Sequence, residues 1–192
     1  MLLATVYVTL QHRQHIGIVF LKPLPIFLLA FWVQQSNGDM WLLFALLLSA
    51  AGDIALGLDS ERYFVQGLGF FLIAHWVYVI VFSRQMGFAP QAFVPIIIVL
   101  VFASVLIPRL LPALGKLRIP VLLYISSIVL MGITAALYTP FSFWLSLGAI
   151  VFMASDAIIA INKFIQPVSY RDFAVMVTYY LAQYLVVASL LI

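Results

Sequence analysis

The chain has 192 residues, of which 66% are hydrophobic and only 8% are charged. A soluble domain carries about 25% charged residues, so this composition excludes a water-soluble globular protein and indicates an integral membrane protein. The net charge of +3 is too small to indicate binding of nucleic acid, and the absence of cysteine excludes disulfides and thiol catalysis.

Apolar windows long enough to cross a bilayer follow one another along the chain. The first ten residues form an apolar piece that is too short to cross comfortably, and seven full windows follow at about 16–33, 41–58, 63–83, 91–108, 118–138, 142–162 and 172–192. The sequence therefore predicts an all-α membrane protein, a single transmembrane domain over residues 1–192. Its bundle has about eight helices, seven full and one short at the N-terminus.

The links between the windows differ in charge on the two sides. If the first piece crosses, Arg84 is the only basic link residue on one side, and the other side receives Arg13, Arg62, Arg109, Lys116, Arg118, Lys163 and Arg171. The positive-inside rule makes the rich side cytoplasmic and places both termini outside. We expect a multi-pass protein of the inner (cytoplasmic) membrane of a bacterium.

Several polar side chains interrupt the apolar windows at a common depth. The helical rise places four of them roughly 8–10 Å inside the cytoplasmic ends of four different windows: Lys22, Asp53, Asp156 and Tyr179. This agreement predicts one site that opens to the cytoplasmic face. Further candidates for its walls are His75, Tyr78, Asn162 and Gln183.

These residues also have structural interpretations. Lys22 could extend to the interface with its ammonium in water, and His75 could be a neutral core histidine. Tyr179 and Gln183 share a helix face, which fits an interhelical hydrogen bond as well as a pocket wall. Asp53 and Asp156 are too short to reach water, and a charge buried in hydrocarbon costs several kcal/mol, so a functional role is favoured for both.

A faint internal repeat relates the two aspartates. SAAGDIALGL (49–58) and FMASDAIIAI (152–161) share two small residues, an aspartate and an apolar continuation. The repeat predicts two parallel four-helix halves related by an axis along the membrane normal, which would bring both carboxyl groups to one height.

Two carboxyl groups in a low-dielectric pocket supply a general acid together with a base or an anionic stabiliser, because both cannot ionise cheaply. Glycosidases use such a pair on acetals. In a membrane the same pair suits an acid-labile ether bond of a lipid. A zinc site needs three or four suitable ligands, and no ligand spacing in the chain supports one.

The chain resembles the lysoplasmalogenase (YhhN-like) family of multi-span membrane enzymes. The matching stretches are LKPLPIFLLA (21–30), the GD at 52–53 with FVQGLGFFLIAHWVY (64–78), FMASDAIIAINKF (152–164) and VTYYLAQYL (177–185). The resemblance implies eight transmembrane helices and hydrolysis of the vinyl ether bond of lysoplasmalogens to a fatty aldehyde and a glycerophospho-ethanolamine or -choline. It implies an aspartate pair, Asp53 and Asp156, and no metal or organic cofactor.

In that reaction one aspartate protonates the outer alkene carbon and the other stabilises the resulting oxocarbenium ion and helps water to add. Lys22 would hold the phosphate of the lysophospholipid, and His75, Tyr179 and Gln183 would orient water or the glycerol hydroxyl. The sequence does not assign the two steps between the aspartates, and it leaves the oligomeric state open.

Two other functions remain open at this point. The same aspartates could form the proton relay of a proton-coupled transporter or lipid carrier, or they could join helices in a scaffolding protein. No window has the interrupted middle expected of a transporter helix, since Pro23 and Pro25 lie near the start of the window at 16–33, where proline is easily tolerated.

Overall fold

A computed structural model describes residues 19, 21–58 and 61–192. Within these residues the chain forms seven α-helices: α1 (Leu24–Gln35), α2 (Met40–Gly57), α3 (Glu61–Ser83), α4 (Phe93–Leu110), α5 (Arg118–Ala136), α6 (Phe143–Phe164) and α7 (Arg171–Leu191). Three short 3-10 helices flank α4 and lead into α5, at Pro90–Ala92, Leu111–Ala113 and Gly115–Leu117. The six helices α2 to α7 are long and apolar enough to cross a membrane.

The predicted helical membrane architecture is confirmed, and six of the predicted windows coincide with α2 to α7 to within a few residues. The short first piece at residues 1–10 and the basic residue Arg13 lie outside the described residues.

The window at 16–33 differs from the expectation of one full helix. Residues 21–23 form a turn, and the helix that follows, α1, has only 12 residues. The two prolines explain the turn: Pro23 and Pro25 lack the N–H groups that would bond the carbonyls of Val19 and Leu21 four residues earlier. The prolines therefore interrupt this segment, although the sequence suggested that they would be tolerated.

The links of the bundle define two ends. The links α2–α3, α4–α5 and α6–α7, with the adjoining helix turns, carry Arg62, Arg109, Lys116, Arg118, Lys163 and Arg171, and we call this the basic end. At the opposite end Arg84 forms an ion pair with Asp39, the residue that caps α2 by accepting a hydrogen bond from the Trp41 N–H. There the N–H groups of Gly87 and Thr139 also donate to the carbonyls of Leu137 and Gln85, at 2.8 and 2.7 Å. The links of the opposite end are thus joined to one another.

The helices pack around a main apolar core, with a smaller apolar cluster where α4 meets α5, and α4 is the least buried of the six described helices that are long enough to span a membrane. α2 packs most extensively on α3 and α6 on α7, while α3 and α5 join these two pairs. Leu46, Phe82, Met131 and Phe152 are fully buried at the centre. α4 contacts α5 and α6, and only 22% of its membrane-spanning window is buried, so most of its surface faces lipid. This arrangement leaves space between α4 and the core helices.

Candidate active site

An apolar cleft lies between α3, α4, α5 and α6 in the half of the bundle nearer the basic end. The cleft is partly open to the surroundings of the bundle. Its walls are mostly aliphatic and aromatic; among the described residues that line it, only Tyr124 and Asp156 bring side-chain oxygen atoms. A hydrocarbon chain fits such walls, and the two oxygen-bearing side chains are the groups it would meet.

Asp156 lies in a small polar network at the wall of this cleft. The Tyr124 hydroxyl donates to its Oδ2 at 2.6 Å, and Nε2 of His75 lies 3.7 Å from the same oxygen. On the other side of the imidazole, Nδ1 lies 3.5 Å from the Ser127 hydroxyl, which donates to the Tyr124 carbonyl at 2.7 Å. Helices α3, α5 and α6 thus fix the position of one carboxyl group.

Asp53 lies on α2 in a different environment. Its side chain is buried, and its Oδ2 has no hydrogen-bond partner among the described residues. Lys22 and Tyr179 lie close enough to interact electrostatically with Asp53. Lys22 is only 9% exposed, so it is packed inside the bundle and does not extend from it. Asp53 is therefore a buried carboxyl group beside a buried amine.

Two phenylalanine rings lie between these polar groups. Phe152 makes edge contacts with His75 and with Tyr179, with ring centroids 5.1 and 5.5 Å apart. Phe71 lines the cleft and also contacts Tyr179, with centroids 5.7 Å apart. Its ring occupies the space left by Gly52, where an added Cβ would meet ring carbons at 2.6 Å. Phe71 therefore separates the cleft from the neighbourhood of Asp53.

Three of the other predicted residues have partners elsewhere. The Tyr78 hydroxyl donates to the Gln183 side-chain oxygen at 2.6 Å, and the Gln183 amide donates to Ser49 at 3.2 Å. This buried chain ties α2, α3 and α7 together. Asn162 accepts a hydrogen bond at 3.0 Å from the N–H of Val168, which lies in the link between α6 and α7.

The structure thus groups the remaining predicted site residues in two clusters. One contains Lys22, Asp53 and Tyr179, and the other contains His75 and Asp156.

Tyr124 and Ser127 belong to the site, and the sequence reasoning missed both. Tyr124 is a lone tyrosine in an apolar window, about 9 Å inside the start of α5 by the helical rise. The same depth argument that selected Asp156 would have selected Tyr124 had it been applied to this window.

The chemistry open to this arrangement is acid–base chemistry in a water-poor setting. One carboxyl group faces an apolar cleft and accepts a hydrogen bond from a phenol, and a second is buried close enough to an amine to interact with it electrostatically. Among the described residues no group of three or more His, Cys, Asp or Glu side chains could hold a metal ion.

A family profile and several individual relatives place the chain in the same protein family. The sequence profile of the YhhN family matches residues 17–190. The chain is 37% identical over 131 residues to a lysoplasmalogenase of Mycobacterium bovis, covering 65% of this chain and 50% of the relative. It is 34% identical over 153 residues to the human lysoplasmalogenase TMEM86A, covering 75% of this chain and 62% of the relative. It is 32% identical over 178 residues to the human lysoplasmalogenase TMEM86B, covering 88% of this chain and 74% of the relative.

These relatives differ from the chain in length. The chain spans about half the length of the mycobacterial relatives that it matches. No solved structure gives a significant match.

Proposed function

Because the chain belongs to the YhhN family, we propose that it hydrolyses the vinyl ether bond of lysoplasmalogens, giving a fatty aldehyde and a glycerophospho-ethanolamine or -choline. The names of the relatives support the substrate. The single observation that carries the proposal is the apolar cleft whose wall presents Asp156, bonded to Tyr124. A lysophospholipid has one hydrocarbon chain, and this cleft offers that chain a place beside a carboxyl group.

The proposed catalytic residues are Asp53 and Asp156. Vinyl ethers hydrolyse through addition of a proton to the outer alkene carbon, which leaves an oxocarbenium ion. One carboxyl group supplies this proton, and the other, as an anion, stabilises the cation across a medium of low dielectric, where such an interaction is stronger than in water. Water then adds to the cationic carbon, and the hemiacetal collapses to aldehyde and alcohol.

Lys22 is the proposed partner of the lipid phosphate. It precedes α1 in the turn created by Pro23, and its carbonyl accepts a hydrogen bond from Tyr180 at 2.7 Å. That bond fixes the turn against α7. An ammonium group in this position would attract the phosphate of a lipid whose chain fills the cleft.

A proton-coupled lipid carrier is the alternative, and the interrupted segment at 21–23 favours it. Broken helices beside buried acidic residues are common at the substrate sites of transporters. A carrier would bind the lysolipid and leave its vinyl ether intact, so release of aldehyde separates the two functions.

The proposal is tested with purified protein in detergent and a lysoplasmalogen, and the readout is aldehyde. In D2O we expect the carbon next to the aldehyde group to gain one deuterium, because the enzyme's acid exchanges with solvent. Asp53→Asn and Asp156→Asn should each lower kcat by about 10²–10⁴-fold, the usual contribution of acid–base catalysis.

The matched control is Asp39→Asn, the same change at the opposite end, where an asparagine still caps α2. It should keep the wild-type rate. Wild-type protein that binds the lipid but releases no aldehyde would contradict hydrolysis and favour the carrier. Near-normal turnover by either aspartate variant would remove that residue from the catalytic pair.

A further inference from the structure

The hydrogen atoms around His75 can be traced from its contacts. The Ser127 hydroxyl has one hydrogen, and that hydrogen is donated to the Tyr124 carbonyl at 2.7 Å. The 3.5 Å contact between Ser127 and Nδ1 of His75 then fits the tautomer in which the imidazole donates from Nδ1. A neutral imidazole has one N–H, so Nε2 carries a lone pair.

That lone pair faces an acceptor. Nε2 of the fully buried His75 has no hydrogen-bond partner in the described part of the chain and lies 3.7 Å from Oδ2 of Asp156. The hydroxyl of Tyr124 supplies only one hydrogen to this oxygen. Two facing acceptors without a hydrogen between them repel each other in a medium of low dielectric. One proton shared by Asp156 and His75 removes the repulsion.

Asp53 has the opposite surroundings. The buried amine of Lys22 lies close enough to interact electrostatically with Asp53, and a protonated amine at this position favours the ionised carboxylate over the neutral acid. In the described residues the titratable groups beside Asp53 are Lys22, from the turn before α1, and Tyr179. Those beside Asp156 are Tyr124 and His75, and the two aspartates also interact electrostatically. Asp53 thus lies beside an amine that can carry a positive charge, and Asp156 lies beside an imidazole that can accept a proton.

The orientation of a bound lipid adds a second argument. The outer alkene carbon continues into the hydrocarbon chain, so a chain in the cleft brings this carbon to Asp156, which lines the cleft. The ether oxygen, and the alkene carbon bonded to it, lie on the head-group side of the outer alkene carbon. In the proposed pose the head-group side of the lipid faces Lys22 and Asp53, beyond Phe71.

Resting on the proposed function, we infer that the pair Asp156–His75 holds the proton given to the outer alkene carbon, and that Asp53 is the anion that stabilises the oxocarbenium ion. The π electrons of the alkene form a new C–H bond with the proton that Asp156 and His75 shared. Asp156 is then left as a carboxylate. Water bonds to the cationic carbon and returns one proton to the pair. That proton passes to the ether oxygen as the C–O bond of the hemiacetal breaks, and the hydroxyl proton then restores the pair. His75 acts through Asp156 and is a positioning residue.

The charge assignment is tested by binding, independently of turnover. The probes are two lysolipids in which the vinyl ether is replaced, one by a saturated ether and one by a protonated secondary amine that places a positive charge at the reacting group. Wild-type protein should bind the amine about tenfold tighter than the ether, because a carboxylate attracts an ammonium group more strongly in a medium of low dielectric than in water. Asp53→Asn should abolish this preference, and Asp156→Asn should keep it.

Binding of the neutral ether shows that each variant is folded, and Asp53→Ser replaces Asp53→Asn if the latter fails this check. A preference that is lost in Asp156→Asn and kept in Asp53→Asn would overturn the assignment, as would equal binding of the two probes by wild type. Wild type that shows the preference but releases no aldehyde would reject the proposed function and leave the charge assignment standing.

The role of His75 is tested with His75→Gln. The amide fills part of the same space and can donate to Asp156, but it cannot hold the proton. We expect kcat to fall about 10²-fold, with KM and the preference for the amine probe unchanged. A His75→Gln protein with wild-type kcat would overturn the role of the pair, and equal losses in ether binding and turnover would show a merely structural role.

Discussion

Lys22 shows, at the scale of single residues, how burial changes the role available to a side chain. A lysine one or two turns from a helix end can extend its ammonium to the interface. Here the side chain is buried beside Asp53, in a segment held to α7 by the bond from Tyr180 to its carbonyl. Extension into water would require this packing to open, so Lys22 belongs to the Asp53 cluster.

Replacement of Lys22 by methionine tests that role. We expect Lys22→Met to raise KM about tenfold or more and to lower kcat less, because head-group binding is common to the ground state and the transition state. Lys163→Met is the matched control: this lysine lies over the Phe64 ring, 5.0 Å from its centroid, beside the cleft, and should change KM little.

Other outcomes for Lys22→Met have distinct meanings. A kcat that falls more than KM rises would show that Lys22 mainly sets the charge of Asp53. Wild-type values of both constants would place Lys22 outside the site.

The sequence predicted which polar residues share a depth but not how they divide into clusters. Helical rise gives height from residue number alone, and it selected Lys22, Asp53, Asp156 and Tyr179. It contains no information on which helices are neighbours, so the insertion of Phe71 and Phe152 between the clusters was not predictable. The catalytic and binding roles of the four polar residues stay predictions.

At the scale of helices, α2 to α7 were predictable because the thickness of the bilayer fixes how long an apolar window must be. The turn at 21–23 was not, since one proline in a first helical turn is tolerated. Pro23 and Pro25 act together and remove the N–H groups of two residues that lie two positions apart in the same segment. The spacing of the prolines, rather than their number, is the signal that was overlooked.

The contact of α2 with α3 at Gly52 gives a prediction at this scale. In Gly52→Ala the added Cβ would lie 2.6 Å from the Phe71 ring, so the ring must move. We expect a loss of about 1–3 kcal/mol in the free energy of unfolding, typical of overpacking, and a lower kcat because Phe71 borders both the cleft and the Asp53 cluster. Thermal unfolding and aldehyde release measure the two effects.

Gly69→Ala is the control, because a Cβ at this position on α3 meets nothing within 4 Å. It should leave both stability and rate near the wild-type values. An equally silent Gly52→Ala would mean that the ring of Phe71 is free to move and does not fix the helix contact.

At the scale of the whole molecule, the two ends of the bundle differ. The cleft, Asp53 and Asp156 lie in the half nearer the basic end. At the opposite end an ion pair and hydrogen bonds join the links. The same difference was suggested by charge alone, since Arg84 was the only basic link residue predicted for that side. Which end faces the cytoplasm stays a prediction.

This difference between the ends predicts that the protein acts on lipid from one leaflet. A cleft that serves only the basic end would draw lysolipid from the adjacent monolayer and return the aldehyde to it, while the soluble product leaves on the same side. In vesicles that hold both orientations, lysolipid added outside should be consumed at first only by molecules whose basic end faces outward. Detergent should then raise the rate in proportion to the hidden fraction, measured by protease cleavage of the basic-end links. A rate that detergent leaves unchanged would mean that lipid reaches the carboxyl groups from both monolayers.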